Sequence, residues 1–467
     1  MRRDSIRLAA VVLLLLATAC GSDDSSSSGA SSGGAAGTGS SSGTGGGSGS
    51  SGAGGSSGSG GAAGASGSGG SGGIAGSGGT GAVSGCTPKT GGWITDALDH
   101  PEPSLPSLPN AGSSTQDPTF GTGVIRITDA ADGSECVNAY SYWPTFNSTS
   151  TRLFVHCTGG PELYDFDPQT ATTSNKRSLF TKSTPDGTTL SWEDAIWSSK
   201  EPDVLYGHDT LKLWKYDTTA GTYTLVKDFG TLVGSGHVRQ MSKSTDDDVF
   251  GFSTQDATWN VLGAVAWRAS DDKLLLQHSE AGLDEVQVDK SGKWLVIKTA
   301  KQGAGAIEVR VANLETQALV DLTDDAPDYA PGHSDNGVGS VVGADNWTNR
   351  ITFRALASPK QPKTVLDLKS DWAQDYHLSM LSADESQVLV SFYESGAHTS
   401  GLFHGEILQV STDGTQKWRR LAHHRSQVAD YFDSPRANVS RDGCFVAFTS
   451  TWGPSGRRDV FVLDLSK

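Results

Sequence analysis

From residue 118 to the end of the chain one pattern keeps returning. A short apolar run is followed by a turn of Asp, Gly, Asn or Ser and a second short apolar run. Ser148–Val155 precedes Glu162–Phe166, Val204–Tyr206 precedes Lys212–Tyr216, and Val249–Phe252 precedes Gly263–Trp267. The series continues with Gly292–Ile297 and Ile307–Val311, a fainter copy at Asn349–Phe353, and Gln387–Phe392 with Gly405–Val410. It ends with Cys444–Thr449 and Asp459–Leu465. The turns fall near residues 148, 199, 246, 291, 346, 384 and 442, so there are seven units of nearly fifty residues. A unit of that length with several short strands cannot bury both its faces alone, but it can when stacked around an axis. The period predicts an all-β chain: a seven-bladed β-propeller of four-stranded antiparallel blades. A β-sandwich, the other all-β arrangement of many short strands, accounts poorly for seven like units.

The ends of the series predict how the ring closes. The last unit stops at Lys467 one strand short, while Val124–Asp129 is a strand with no hairpin partner. Pairing the two would seal the ring with this N-terminal strand and remove exposed edges.

The final unit carries a resemblance. Ser440-Arg441-Asp442-Gly443, then Phe448-Thr449-Ser450, then Asp459-Val460-Phe461-Val462-Leu463-Asp464 resembles the TolB-type, WD40-like propeller repeat. That repeat reads Ser-x-Asp-Gly, an apolar–aromatic stretch ending in Ser, then an apolar run bracketed by Asp. The resemblance implies a fold and leaves activity open.

The first residues give an address. Arg2, Arg3 and Arg7 precede the apolar run Leu8–Ala17, which is too short to span a bilayer, since a span needs ~20 apolar residues. The run ends Ala17-Thr18-Ala19-Cys20, which resembles the bacterial lipobox, with Ala17 where Leu is usual. This implies a signal peptide over 1–19 and lipidation at Cys20. Residues 21–85 hold 28 Gly and 21 Ser; 20–85 is then a flexible tether, spanning about 45 Å on average. Residues 86–117, with Pro101, Pro103, Pro106 and Pro109, read as an extended leader, and 118–467 as the propeller. The expected location is the bacterial cell envelope, lipid-anchored. Gly21 rather than Asp after Cys20 points to the outer membrane or cell surface. Four further cysteines, Cys86, Cys136, Cys157 and Cys444, suit two disulfides in an exported head. Cys136 and Cys157 flank one hairpin region and form the favoured pair.

A net charge of −16 excludes a generic nucleic-acid binder. Partners are therefore sought in the membrane, through the lipid, and in a glycan or protein ligand. In a propeller the start of each innermost strand lines the channel mouth. His237, His333 and His377 fall at corresponding places of three units, with Arg239, Tyr142, Trp143, Tyr376, Arg436 and Asn438 at the mouth segments of these and neighbouring units. Residues 417–441 invert the charge locally, with Arg425, Arg436 and His424 among them. Guanidinium forks suit carboxylates or sulfates, and aromatic faces suit sugars. Each residue also has a plain structural role to weigh: channels are wet, and a basic loop often balances acidic surface.

Two functions follow. The first is a ligand-binding or protein-interaction head, for acidic glycans, with Arg239, Arg425, Arg436, Asn438, Trp143, Tyr142 and His424 as the binding residues. The second follows an architectural resemblance to propeller polysaccharide lyases such as oligogalacturonate lyase. It implies metal-assisted β-elimination on uronate glycans, with a divalent metal as cofactor. His237, His333 or His377 would serve as base or metal ligand, and Tyr376 or Tyr142 as acid. No continuous lyase motif aligns.

Overall fold

The computed structural model describes residues 86–88, 92 and 96–467, apart from 235, 370, 371, 373 and 395–400. The expected signal peptide over 1–19, the expected lipidation site Cys20 and the Gly/Ser segment expected to be a tether lie outside the described residues. Seven antiparallel sheets follow one another around an axis. Blade 1 comprises Cys136–Val137, Arg152–Cys157, Gly160–Asp167 and Thr172–Ser178. Blade 2 comprises Ile196–Trp197, Val204–His208, Lys212–Asp217 and Thr222–Asp228. Blade 3 runs His237–Lys243, Val249–Gln255, Val261–Arg268 and Lys273–Ser279; blade 4 runs Leu283–Val288, Trp294–Thr299, Ile307–Asn313 and Leu319–Thr323. Blade 5 is built from Pro331–Asn336, Ser340–Asp345, Arg350–Ala355 and Lys363–Asp367. Blade 6 is built from Asp375–Ser379, Gln387–Tyr393, Glu406–Ser411 and Trp418–His423. The first strand of each blade is the inner one, and the inner strands of blades 3 to 7 touch in succession.

Blade 7 closes the ring as the sequence predicts. Asn438–Val439, Phe445–Ser450 and Asp459–Asp464 are joined by Gly123–Arg126, with Val124 opposite Leu463 and Ile125 opposite Val462. Arg126 clamps the junction on Asp459 at 2.8 Å. A fifth strand, Ser114–Gln116, then pairs outside Gly123–Arg126, so the closing strand has a hairpin partner after all.

Burial explains why the strand pattern is uneven. Phe445–Ser450 and Asp459–Asp464 are buried at every position, whereas the outermost Thr172–Ser178 is mostly exposed. Middle strands are covered on both faces by neighbouring blades, so they carry near-continuous apolar runs rather than strict alternation. At one such interface Tyr206 of blade 2 meets Phe250 of blade 3 edge-on at 5.0 Å. Full burial of a side chain like Phe250 contributes ~1.5–3 kcal/mol.

Acidic turns between first and second strands knit the far rim. Asp442 accepts the Cys444 N–H at 3.0 Å and, from blade 1, the Ser150 hydroxyl at 2.8 Å. Asp289 of blade 4 accepts the Lys293 and Trp294 N–H groups and the Gly339 N–H of blade 5. Two disulfides, Cys86–Cys444 and Cys136–Cys157, fasten the leader to blade 7 and the first two strands of blade 1.

Candidate functional site

Inner strands all begin at one end of the ring, because the chain always crosses from outer strand to next inner strand there. That end forms a bowl. Tyr142, from the segment between the first two strands of blade 1, donates its hydroxyl to Glu285 of blade 4 at 3.1 Å and lies 3.5 Å from Gln240 of blade 3. Glu285 also takes the Lys298 ammonium. A side chain from blade 1 that touches blade 4 crosses the axis, so Tyr142 stoppers the channel. Trp143 beside it is buried and donates its indole N–H to the Met241 carbonyl at 2.9 Å.

On one wall, His333 of blade 5 and His377 of blade 6 stack with ring centroids 5.0 Å apart and planes at 15°. His377 also stacks on Tyr393 at 5.0 Å and receives the Tyr140 ring edge-on at 5.1 Å. Both ring nitrogens of His377 are buried without a hydrogen-bond partner among the described residues. Burial, reinforced by the positive charge of His333 and Arg436, holds His377 well below the usual histidine value, so it is neutral at pH 7. His333 Nδ1 is 3.1 Å from the Tyr376 carbonyl oxygen and 3.6 Å from Asp375 Oδ1. Burial alone would raise the Asp375 carboxyl, but His333 holds it at about 2.

Arg436 enters the bowl just before blade 7. It is 4% exposed, its guanidinium lies over Tyr431 at 5.3 Å and Phe432 at 5.2 Å, and its Nε and Nη2 have no hydrogen-bond partner among the described residues. Its backbone is left-handed at φ +41, a conformation costing roughly 1–2 kcal/mol for a non-glycine residue. The Asn138 amide holds it there by donating to the Arg436 carbonyl at 2.8 Å. The field of Arg436 reaches Glu193, His156 and His377. Burial raises the Glu193 carboxyl, opposed by Arg239 at 3.7 Å. Arg239, Glu193, Arg436, His377, His333 and Asp375 thus form one arc around the bowl.

The remaining predicted residues lie apart from this arc. His237 stacks flat on Trp259 at 3.9 Å, under the hairpin between the second and third strands of blade 3, and is not beside the other two histidines. Tyr376 turns into the blade, against Phe392, and burial raises its phenol. Asn438 is fully buried and donates to the Ala139 carbonyl and the Thr145 hydroxyl. His424 binds the Phe392 carbonyl at 2.9 Å, and burial drops it to about 3. Arg425 is paired with Asp117 at 2.9 Å and Glu102 at 3.2 Å. The leader therefore neutralises much of the basic segment: Leu98 and His100 carbonyls also accept from Arg420 and His423. A separate cleft of about 300 Å³, between Phe120, Arg419, Arg420 and Lys467, lies beside the leader. Trp259 and Tyr393 were not singled out in the sequence; nothing in their local pattern marks a hairpin tip or a second-strand end as functional.

No known family profile matches the chain, and no curated protein matches it in sequence. Solved structures share its architecture. Oligogalacturonate lyase from Vibrio parahaemolyticus superposes with a TM-score of 0.56 at 12% identity, over 75% of this chain and 96% of the lyase. An oligogalacturonate lyase in complex with manganese gives 0.54 at 14%, over 76% and 96%. At such identities the likeness establishes the propeller fold alone. The manganese in the second protein prompts a test of fit here. Among the described residues no group of three or more His, Cys, Asp or Glu is arranged to hold a metal ion. His333 and His377 meet face to face, and Asp375 is engaged by His333. This donor set does not fit a resident divalent metal.

Proposed function

We propose that the chain is a lipid-anchored envelope head, held through Cys20 at the outer membrane, whose bowl binds a carboxylate-bearing sugar. The observation that carries this reading is Arg436: a residue 4% exposed, with two guanidinium nitrogens that have no hydrogen-bond partner among the described residues, beside a neutral histidine. A buried guanidinium with unmet donors is costly, and a planar fork matches a carboxylate. Tyr140, Tyr431 and Phe432 supply flat faces around it for a pyranose ring.

Calorimetric titration of the full chain tests the reading. Galacturonate should bind and galactose should not. Arg436→Gln should weaken galacturonate by roughly 10–100-fold, the loss of one or two charge-assisted hydrogen bonds. Equal binding of the two sugars would end it. A lyase reading draws on a single feature, the His333–Asp375 pair next to neutral His377, a candidate base beside a carboxylate neutraliser. Appearance of an ultraviolet-absorbing unsaturated product when digalacturonate, whose glycosidic oxygen can leave, replaces the monomer would favour turnover over capture.

A further inference from the structure

Three tryptophans are exposed among the described residues: Trp259 at 46%, Trp347 at 45% and Trp372 at 56%. All lie at the bowl end of the ring. Trp259 and Trp347 sit on the hairpins between second and third strands of blades 3 and 5, and Trp372 precedes the inner strand of blade 6. The described part of the opposite rim carries none.

Their exposure is built into the turns. Asp256 accepts the N–H groups of Thr258 and Asn260, Trp259 N–H bonds back to the Asp256 carbonyl at 3.0 Å, and Trp259 is held at φ +70. Bulky residues avoid that region unless their surroundings impose it. Asp345 likewise accepts the N–H groups of Trp347 and Thr348 at 2.9 and 3.1 Å. Trp259 is also oriented in advance, with His237 flat against it and the Arg239 guanidinium 5.5 Å from its centroid. An indole plus a guanidinium is the pair that a uronate residue requires, one for its apolar face and one for its carboxylate.

Resting on the reading above, we infer that the bowl is the central subsite of a longer track and that the ligand is a polymeric acidic polysaccharide. The chain passes over Arg239 and Trp259 on one side of Arg436 and over Trp347 and Trp372 on the other. Separate indoles on polar turns suit successive sugar rings; a protein partner calls for a continuous apolar patch.

The test is a length series. The full chain is titrated with galacturonate and its oligomers up to the hexamer, alongside Trp259→Ala, Trp347→Ala and a control, Leu319→Ala, at the opposite rim. Wild-type affinity should climb on the order of tenfold or more from monomer to hexamer, about one good aromatic contact per added platform. The hexamer-to-monomer ratio should fall towards one in Trp259→Ala, fall partway in Trp347→Ala, and stay unchanged in Leu319→Ala. Monomer binding with no gain in the hexamer, or a ratio untouched by both tryptophan changes, overturns the track and leaves the bowl standing. No binding of any uronide overturns both. Equal binding of neutral galactose oligomers overturns the acidic ligand.

Discussion

Arg436→Met separates what this residue does for the fold from what it does for a ligand, because the two should move in opposite directions. The structure supplies the terms. Two desolvated, unpaired guanidinium donors each cost about 1–3 kcal/mol. Against that stand two ring contacts, over Tyr431 and Phe432, worth about 0.5–1 kcal/mol each and lost with the charge. Methionine keeps most of the buried stem, and the left-handed backbone strain is common to both proteins. The balance lies between about zero and a gain of about 5 kcal/mol, centred on about 2.5, which at about 2.1 cal/mol/K of unfolding entropy per residue raises the Tm of a head this size by roughly 3 °C. Calorimetric melts of both full-length proteins, without ligand and at one scan rate, read it directly. Galacturonate should then raise the wild-type Tm and leave the variant where it was. A lower Tm in the variant would refute the reasoning: Arg436 would be a structural cation whose contacts outweigh its unpaired donors.

The other predictions concern stability. Asp335, on the inner strand of blade 5, is pushed up to about 7 by burial, against the pull of the Met380 N–H and of Lys290 and Lys298. The folded protein thus favours the protonated acid; that stabilisation is complete below the ordinary carboxylate range and is lost as pH rises through 7. Asp335→Asn should therefore gain about 2–4 kcal/mol at pH 8 and little at pH 4 in denaturant titrations, and an equal gain at both would contradict this. Removing Cys86–Cys444 by paired Ala substitutions should cost more than removing Cys136–Cys157. The sequence separations of 358 and 21 correspond to about 6 and 3 kcal/mol of loop closure, so equal losses in guanidinium unfolding would count against it.

What could be read from the chain, and what could not, follows the range of the interactions. Blade repeats are local, so the units, the closing strand Gly123–Arg126 and the Cys136–Cys157 pair are legible in the sequence. Arg425 was not, because its partners Glu102 and Asp117 lie 323 and 308 residues upstream, and no local charge count reveals them. The three mouth histidines looked equivalent. His333 and His377 are third in their strands and His237 is first, so two residues of rise, about 6.6 Å, carry His237 outward to Trp259. Neighbours diverge as well: Tyr142 points across the axis while Trp143 packs under blade 3, a divergence at the Tyr140–Trp143 turn between the first two strands of blade 1.

The Cys86–Cys444 bond also decides how the head bears load. Any pull arriving along the chain from before Cys86 passes covalently into the start of the second strand of blade 7, bypassing the leader and the closing strand. Those two elements, held by hydrogen bonds and the Arg126–Asp459 clamp, are shielded from being peeled off one bond at a time. If the head is anchored and binds a polymer as proposed, drag on that polymer would load the Cys86–Cys444 bond rather than the seam of the ring, and only in a reducing medium would that seam become the weak point.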